Sequence, residues 1–263
     1  MDEFLLMNKP PLKTYQKLCT EFYDLELTQD PEAANILAFY MNYALKANGP
    51  ILEPMCGTGR FLIPMLQANL DIEGFDASPH MLNTLIQKYA LISHKQPPVW
   101  QQFIEDFENN KLYNLIFIPF GSWGLITNPE NSKRCLDIMY RHLAPGGKFV
   151  IEIDTIESLL KPCGIWRSTS NTRADGSRLV LNNLTSYEPQ TQLFTAICRY
   201  ESFVDNTLKA TETENFQQYL YQFNEMDQLL KNAGSMQIKK YMDYAKTPAT
   251  DPNTPILIYE CTR

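Results

Sequence analysis

The chain has 263 residues and a net charge of −7, and 44% of its residues are hydrophobic and 12% aromatic. A composition this apolar is typical of a folded globular protein, and the length accommodates one large core with an elaboration. No run of lysine and arginine reaches the density of a nucleic-acid-binding surface. We therefore expect a small-molecule partner and no nucleic-acid partner.

The first fifteen residues, MDEFLLMNKPPLKTY, hold acids where a secretory signal needs positive charge. No uninterrupted apolar stretch is long enough to span a bilayer. The six cysteines are scattered, with no C-x-x-C pair and no histidine at metal-ligand spacing. These features predict a cytoplasmic protein with reduced thiols, no membrane contact and no bound metal.

Helix and strand signals alternate through the first part of the chain. Helical spacing over 31–46 stops at Asn48-Gly49-Pro50, and Ser78 followed by Pro79 predicts the start of another helix. Residues 113–119 are apolar on both faces, as in a central parallel strand. The other predicted elements are strands beginning at 51 and spanning 70–75, 99–103 and 148–154, and helices beginning at 61 and spanning 130–143. This alternation predicts an α/β fold with a parallel sheet.

The pattern changes after residue 155. Residues 164–221 are rich in Thr, Tyr, Arg and Asn and carry turn signals at 175–176, 188–189 and 205–206, which predicts three or four antiparallel strands. A helix over 224–233 and two final strands over 236–241 and 256–260 complete the chain.

We therefore expect three parts. They are an N-terminal helical cap over 1–50, an α/β domain over 51–154 and 224–263, and an antiparallel β insertion over 155–223. The insertion would serve as a lid over the site or as the face of a homodimer.

The stretch ILEPMCGTGRFLIPML, residues 51–66, has the order strand, glycine turn, helix that presents a cofactor in α/β proteins. A dinucleotide pyrophosphate needs G-x-G-x-x-G, but Leu62 stands where the third glycine belongs, and Glu53 adds a negative charge. No Walker lysine follows either. The loop therefore fits a ligand without phosphate.

S-adenosylmethionine has that chemistry, since it carries an ammonium and a sulfonium and no phosphate. Glu53 at the end of the first strand can hold the ammonium, and Asp76 at the tip of the second can accept both ribose hydroxyls. Gly57 and Gly59 would let the backbone approach the cofactor. The negative charges of these two acids therefore favour the sulfonium cofactor over a phosphate-containing one.

Four motifs carry a resemblance to class I S-adenosylmethionine-dependent methyltransferases. They are LEPMCGTGR at 52–60, GFDASPHML at 74–82, YNLI at 113–116 and LAPGG at 143–147. The resemblance implies a Rossmann-like seven-stranded sheet, mostly parallel with an antiparallel last strand, and an antiparallel β insertion after strand five. The chain looks most like small-molecule members, including amino-sugar N-methyltransferases and glycine N-methyltransferase-like enzymes.

The resemblance also implies a set of cofactor-binding residues drawn from the N-terminal segment, the glycine loop and the next strand ends. They are Tyr15, Tyr23, Glu53, Met55, Gly57, Thr58, Gly59, Arg60, Asp76, Ala77, Met81, Phe103, Ile104 and Phe120. Tyr15, Tyr23 and Met81 could instead pack in the core, and Arg60 could either bind the cofactor carboxylate or cap a helix.

Two positions depart from the family pattern. Met55 stands where the family usually has glycine, so the loop must admit a side chain. Phe103 falls at the position that often carries an aspartate for the adenine edge. Adenine would then be held by the Ile104 backbone and by stacking, or Asp106 would take the role through a shift in register.

Residues at the ends of later strands are the substrate-binding candidates, because α/β sheets place their chemistry there. They are Trp123, Glu152, Asp154 and, from the insertion, Trp166. The reaction expected is methyl transfer by in-line displacement to nitrogen or oxygen of a small molecule. Two alternatives are a non-catalytic S-adenosylmethionine-binding protein and a nicotinamide-dependent oxidoreductase.

Overall fold

A computed structural model describes residues 12–263 and contains two β-sheets. The first sheet has seven strands in the order β10-β11-β5-β4-β1-β2-β3. Its strands are β1 (Ile51–Pro54), β2 (Ile72–Asp76), β3 (Val99–Gln101), β4 (Tyr113–Ile118), β5 (Leu143–Asp154), β10 (Gln237–Tyr241) and β11 (Ile256–Thr262). Strands β1 to β5 pair in parallel, and β11 is antiparallel to both of its neighbours. The predicted fold class is confirmed.

Five helices cover the two faces of this sheet. They are α2 (Ala33–Ala44), α3 (Leu62–Gln67) and α4 (Pro79–Ala90) on one face, and α5 (Pro129–Arg141) and α6 (Glu225–Asn232) on the other. Ser78 caps α4 as predicted, because its Oγ accepts the Met81 N–H at 3.2 Å. Asn224 precedes α6 without capping it, and its Oδ1 instead accepts a hydrogen bond from Lys240 Nζ.

The second sheet consists of four antiparallel strands joined by the predicted hairpin turns. In spatial order they are β6 (Trp166–Thr172), β7 (Arg178–Glu188), β8 (Leu193–Val204) and β9 (Thr207–Tyr219). Helix α1 (Lys17–Leu27) packs on this sheet through a small core that includes Phe22, Leu179 and Tyr200. The second sheet therefore has its own hydrophobic contact with the N-terminal helix.

One boundary differs from the sequence prediction. Helix α5 ends at Arg141, two residues before its predicted end, and β5 begins at Leu143, five residues before the predicted strand over 148–154. Gly146 adopts φ 76°, and its N–H donates to the carbonyl of Arg263. Arg263 is distant in the sequence but pairs with this stretch. Because of that contact, residues 143–147 form an irregular beginning of β5.

Gly74 in β2 lies where two neighbouring elements approach the backbone closely. An added Cβ would lie 2.6 Å from Leu62 Cδ1 and 2.9 Å from the carbonyl oxygen of Glu53. We expect Gly74→Ala to lower the free energy of unfolding by about 1–3 kcal/mol, because the buried strand has no room for a methyl group. Urea denaturation measures the loss, and an unchanged midpoint would contradict this packing.

Candidate functional site

A cavity of about 490 Å³ lies at the carboxyl ends of β1, β2, β4 and β5, which we call the strand-end cavity. Parallel strands bring those ends to one edge of the sheet, where α/β proteins bind their ligands. The second sheet and the start of the described chain close its other side. Predicted site residues on its wall are Tyr15, Tyr23, Met55, Gly57, Asp76, Ala77, Met81, Phe103, Ile104, Phe120 and Asp154.

Asp76 connects the glycine loop to the start of α4. Its Oδ2 accepts the Gly57 N–H at 2.9 Å, and its Oδ1 accepts the Ser78 N–H at 2.8 Å. Burial raises the pKa of Asp76 to about 6, although these backbone hydrogen bonds oppose the increase. A carboxylate has about four lone-pair sites, so Asp76, which lines the cavity, keeps acceptor capacity beyond its backbone contacts.

The glycine loop presents backbone to the cavity at one glycine and packs tightly at the other. At Gly57, with φ 53°, a Cβ would meet no atom within 4 Å. At Gly59 it would lie 2.8 Å from Leu85 Cγ and 2.9 Å from Ile63 Cγ1. Gly59 therefore allows close helix packing and does not line the cavity, in contrast to its predicted contact with the cofactor.

Three non-glycine residues on the cavity wall adopt left-handed backbone conformations. Tyr15 has φ 55°, Met55 has φ 58° and Phe120 has φ 56°. Such conformations cost of order 1–3 kcal/mol each and cluster at functional sites. Met55 thus adopts a backbone conformation that favours glycine, the residue that the family usually has there.

Glu53 lies behind the glycine loop and is 2% exposed. Its Oε2 has no hydrogen-bond partner among residues 12–263, and burial raises the pKa of this carboxyl well above its ordinary value. Leaving a buried acceptor without a partner costs about 1–3 kcal/mol. The atom is therefore suited to a donor or cation that is not part of the described chain.

Arg60 carries a second unsatisfied polar atom, of the opposite charge. Its Nη2 donates to Asp30 at 2.9 Å, and its guanidinium lies 4.0 Å from the ring centroid of Phe120. Its Nη1 is buried and has no hydrogen-bond partner in the part of the chain that the structure describes. Arg60 does not cap helix α3, whose N-cap residue is Phe61.

Tyr23 of α1 links these charged groups to the cavity. Burial raises the pKa of Tyr23 to about 12, Arg60 opposes the increase, and Glu53 and Asp76 add to it. Since Tyr23 lines the cavity, both unsatisfied atoms belong to side chains that act electrostatically on its wall.

Thr58, in contrast to the prediction, does not line the cavity. It is tied to α1 through a 2.6 Å hydrogen bond to Asp24.

Tyr15 holds the N-terminal segment against both sheets. Its N–H donates to Glu214 Oε2 of β9 at 3.0 Å, and its carbonyl accepts from Ser78 Oγ at 2.8 Å. The segment is thereby fixed over the cavity between the second sheet and the start of α4.

The wall next to Asp76 is mostly apolar. Ala77, Met81, Phe103 and Ile104 contribute to it, and Asp106 does not. Of the two alternatives for holding adenine, the structure therefore places the Phe103–Ile104 set, and not Asp106, at the cavity. Met81 is 3% exposed, so it also packs in the core.

Three of the four substrate-binding candidates do not line the cavity. Trp123 is fully buried in the sheet core, where its Nε1 donates to Ser132 Oγ at 2.9 Å. Trp166 is 54% exposed at the beginning of β6. Neither Trp123 nor Trp166 lines the strand-end cavity. The sequence gives no sign of which way a side chain at a strand end or loop points.

Glu152 is also turned away from the cavity. It accepts hydrogen bonds from Tyr40 at 3.0 Å and Tyr244 at 2.9 Å, and burial raises its pKa to about 7. The Phe120 backbone also bonds to this carboxylate, which fixes the loop after β4. Glu152 therefore supports the cavity wall and does not face a ligand.

Asp154 is the one substrate candidate at the cavity. Burial raises its pKa, and a hydrogen bond from Gln218 Nε2 of β9 opposes the increase. The other β9 residues on the wall were missed from the sequence, namely Asn215, Phe216 and Gln217, as were Ser122, Thr127, Asn128 and Asn131 from the segment after β4. No motif marks them, and the position of the β9 residues depends on how the second sheet docks.

Residues 51–147 match the family model described as "Methyltransferase domain". This segment is therefore similar to a methyltransferase domain. The matched segment covers the glycine loop and Asp76, so the resemblance predicted from those motifs is confirmed. S-adenosylmethionine is the cofactor that such methyltransferases use. No curated protein matches the chain.

Solved structures extend the likeness to most of the chain. An S-adenosylmethionine-dependent methyltransferase from Clostridium acetobutylicum has a TM-score of 0.76 at 19% identity over 92% of this chain and 96% of its own. The sugar N-methyltransferase KedS8 from Streptoalloteichus scores 0.67 at 18% identity, covering 88% and 86%. The amino pentose methyltransferase CalS10 from Micromonospora echinaspora, with S-adenosylmethionine bound, scores 0.65 at 16%, covering 88% and 90%. At these identities the likeness establishes the fold.

Neither a membrane-spanning helix nor a metal-binding cluster is present in residues 12–263. No helix in this part is long and apolar enough to cross a membrane. No group of three or more His, Cys, Asp or Glu side chains within it could hold a metal ion.

The unpartnered carboxyl of Glu53 leads to a prediction about stability. Because burial raises its folded-state pKa well above 4.5, the folded protein holds a proton that the unfolded chain releases as the pH rises past 4.5. This carboxyl therefore lowers stability increasingly above that pH. We expect Glu53→Gln to raise the free energy of unfolding of the ligand-free protein, by more at pH 8 than at pH 5. Urea denaturation at both pH values tests this, and an equal effect at both would contradict it.

Proposed function

We propose that this protein is an S-adenosylmethionine-dependent methyltransferase that acts on nitrogen or oxygen of a small molecule. The observation that carries the proposal is the pair of buried, unsatisfied atoms, Glu53 Oε2 and Arg60 Nη1, whose side chains act electrostatically on Tyr23 of the cavity wall although neither residue lines the cavity. The amino-acid end of the cofactor bears one ammonium and one carboxylate, so its charges complement these two atoms. The matching family model supports the same conclusion.

The other residues on the cavity wall suit the nucleoside part of the cofactor. Asp76 has lone pairs left for the two ribose hydroxyls, and Gly57 leaves open space beside the backbone. Phe103 and Ile104 offer an apolar surface for adenine. The donor set, with two carboxylates and no phosphate-binding lysine, fits a cationic cofactor.

The cofactor would supply an activated methyl group on a sulfonium. The residues of the chain contribute alignment and exclusion of water, and such positioning can lower the barrier by about 7–11 kcal/mol. Tyr15 and Tyr23 close the cavity from the N-terminal side. A fixed catalytic triad is unnecessary because the leaving group is already activated.

Asp154 is the residue that we propose to receive a proton from the acceptor. It lies at the end of β5, lines the cavity and is held by Gln218. Burial raises its pKa, which makes the carboxylate a stronger base than an exposed aspartate. The names of KedS8 and CalS10 point to amine acceptors on sugars, which supports a small polar acceptor here.

Replacement of Asp76 tests the cofactor site. We expect Asp76→Ala to weaken both S-adenosylmethionine and its demethylated product by about a hundredfold, because hydrogen bonds to a charged group contribute about 1.5–3 kcal/mol each. Isothermal titration calorimetry measures both affinities.

Asp71→Asn is the matched control for this experiment, since Asp71 precedes the same strand and its side chain is 69% exposed. The control should bind as the unmodified protein does. A melting curve of Asp76→Ala verifies that it is folded at the titration temperature. Unchanged affinity in the folded Asp76→Ala protein would contradict the proposed site.

The pKa of Asp76 gives a second prediction. A carboxyl with a pKa of about 6 in the free protein loses its acceptor charge as the pH falls below that value. We expect the affinity for methylthioadenosine, which has the ribose hydroxyls but no amino-acid end, to fall about tenfold from pH 7 to pH 5. In Asp76→Asn the affinity should be low and independent of pH, whereas a retained pH dependence would assign the titration to another group.

A further inference from the structure

A second cavity, of about 440 Å³, lies between the two sheets, and we call it the inter-sheet cavity. One face of the second sheet forms a wall, and α1 and residues 158–160 form the others. Tyr15, Tyr23, Asp154, Phe216 and Gln218 line both this cavity and the strand-end cavity. The two cavities therefore meet at Asp154.

The sheet wall follows the alternation of its strands. Leu181, Asn183 and Thr185 of β7 point to the same side and all line the cavity. Arg167 of β6 is the register partner of Asn183, so the two side chains are direct cross-strand neighbours. The arrangement puts a cation and two neutral polar groups side by side.

Each of these three polar side chains has an unsatisfied atom. Arg167 Nη1, Asn183 Oδ1 and Thr185 Oγ1 are buried and have no hydrogen-bond partner within residues 12–263. Thr185 is 8% exposed. Arg167 donates through Nη2 to the Pro162 carbonyl at 2.7 Å, but no carboxylate of the described residues lies within ion-pair distance. Native proteins rarely leave such groups unpaired, and here three share one cavity.

The remaining wall is apolar or acidic. Phe22, Leu159 and Phe194 supply aromatic and aliphatic surface. Glu26 of α1 faces the cavity, and Asp154 lies where the two cavities meet, so both can accept hydrogen bonds from the occupant. A ligand that complements this cavity has an apolar body for the aromatic and aliphatic surface and hydrogen-bond donors for the acceptor oxygens. It also has one anionic group for Arg167.

We propose that the inter-sheet cavity binds the methyl acceptor and that this acceptor is an amphipathic anion, either a carboxylate or a phosphate ester. Arg167 binds its anionic group, Thr185 donates its hydroxyl to the same group, and Asn183 Oδ1 accepts a hydrogen bond from a donor elsewhere on the acceptor. The atom to be methylated points to Asp154 and the strand-end cavity. This inference rests on the proposed function, because it assumes that the cofactor occupies the neighbouring cavity.

The test uses the full chain saturated with S-adenosylhomocysteine. Benzoate and phenyl phosphate serve as anionic probes and benzyl alcohol as a neutral probe of similar size, each titrated by calorimetry or ligand-observed NMR. We expect at least one anion to bind more tightly than the alcohol. Binding of benzoate alone would indicate a carboxylate acceptor, and binding of phenyl phosphate alone a phosphate ester.

Arg167→Gln should weaken anion binding about tenfold, since an ionised hydrogen bond is lost, and should leave the alcohol unchanged. Arg199→Gln is the matched control, because Arg199 lies on the same sheet, does not line the cavity and has a 49% exposed side chain. Failure of both anions to bind, or equal anion binding by Arg167→Gln and the unmodified protein, would overturn the inference.

Thr185→Val provides a measurement independent of the probes. If the hydroxyl is kept for a ligand, its removal takes away one of the three unsatisfied groups and raises the melting temperature of the ligand-free protein. A lowered melting temperature would mean that the hydroxyl serves the fold, against the inference.

A titration with S-adenosylhomocysteine alone separates the two proposals. Absence of binding refutes the proposed function, whereas binding without anion recognition refutes only the acceptor assignment.

Discussion

The contacts of the Asp76 carboxylate hold the site together. One oxygen accepts the Gly57 N–H of the loop after β1, and the other accepts the Ser78 N–H at the start of α4. Ser78 in turn donates to the Tyr15 carbonyl, which ties the N-terminal segment to the same point. A single half-buried acid thus fixes the turn, the helix start and the cover of the cavity, and it still has acceptor capacity.

The cavity walls carry a cost to stability that the rest of the fold offsets. The ligand-free chain is destabilised by the left-handed backbone at Met55 and Phe120. It is also destabilised by the unsatisfied polar atoms on Glu53 and Arg60. The fully paired seven-stranded sheet with helices on both faces stabilises it. Such local costs at a site, supported by a regular scaffold, are typical of proteins whose binding groups are fixed before the ligand arrives.

Sequence reasoning succeeded where local chemistry decides structure. The Ser78 cap, the apolar β4 strand and the hairpin turns are short-range signals, and the charge of Glu53 and Asp76 was enough to select a cationic cofactor. The directions of the Trp123 and Glu152 side chains could not be predicted, because their hydrogen-bond partners lie on other elements. Trp123 bonds to Ser132, and Glu152 bonds to Tyr40 and Tyr244. The inter-sheet cavity was beyond reach for the same reason: strand alternation defines two faces, but docking decides which one is covered.

Helix α1 borders both the strand-end cavity and the inter-sheet cavity. Its start is held by acids of β9, since Gln16 N–H donates to Glu214 at 2.7 Å and Leu18 N–H to Glu212 at 2.6 Å. Its middle is held by Asp24, which binds Thr58 of the glycine loop and Lys88 of α4. Because Tyr23 lines both cavities, a displacement of α1 would change both together. Contacts at one cavity can therefore affect the other through this helix without a separate moving lid.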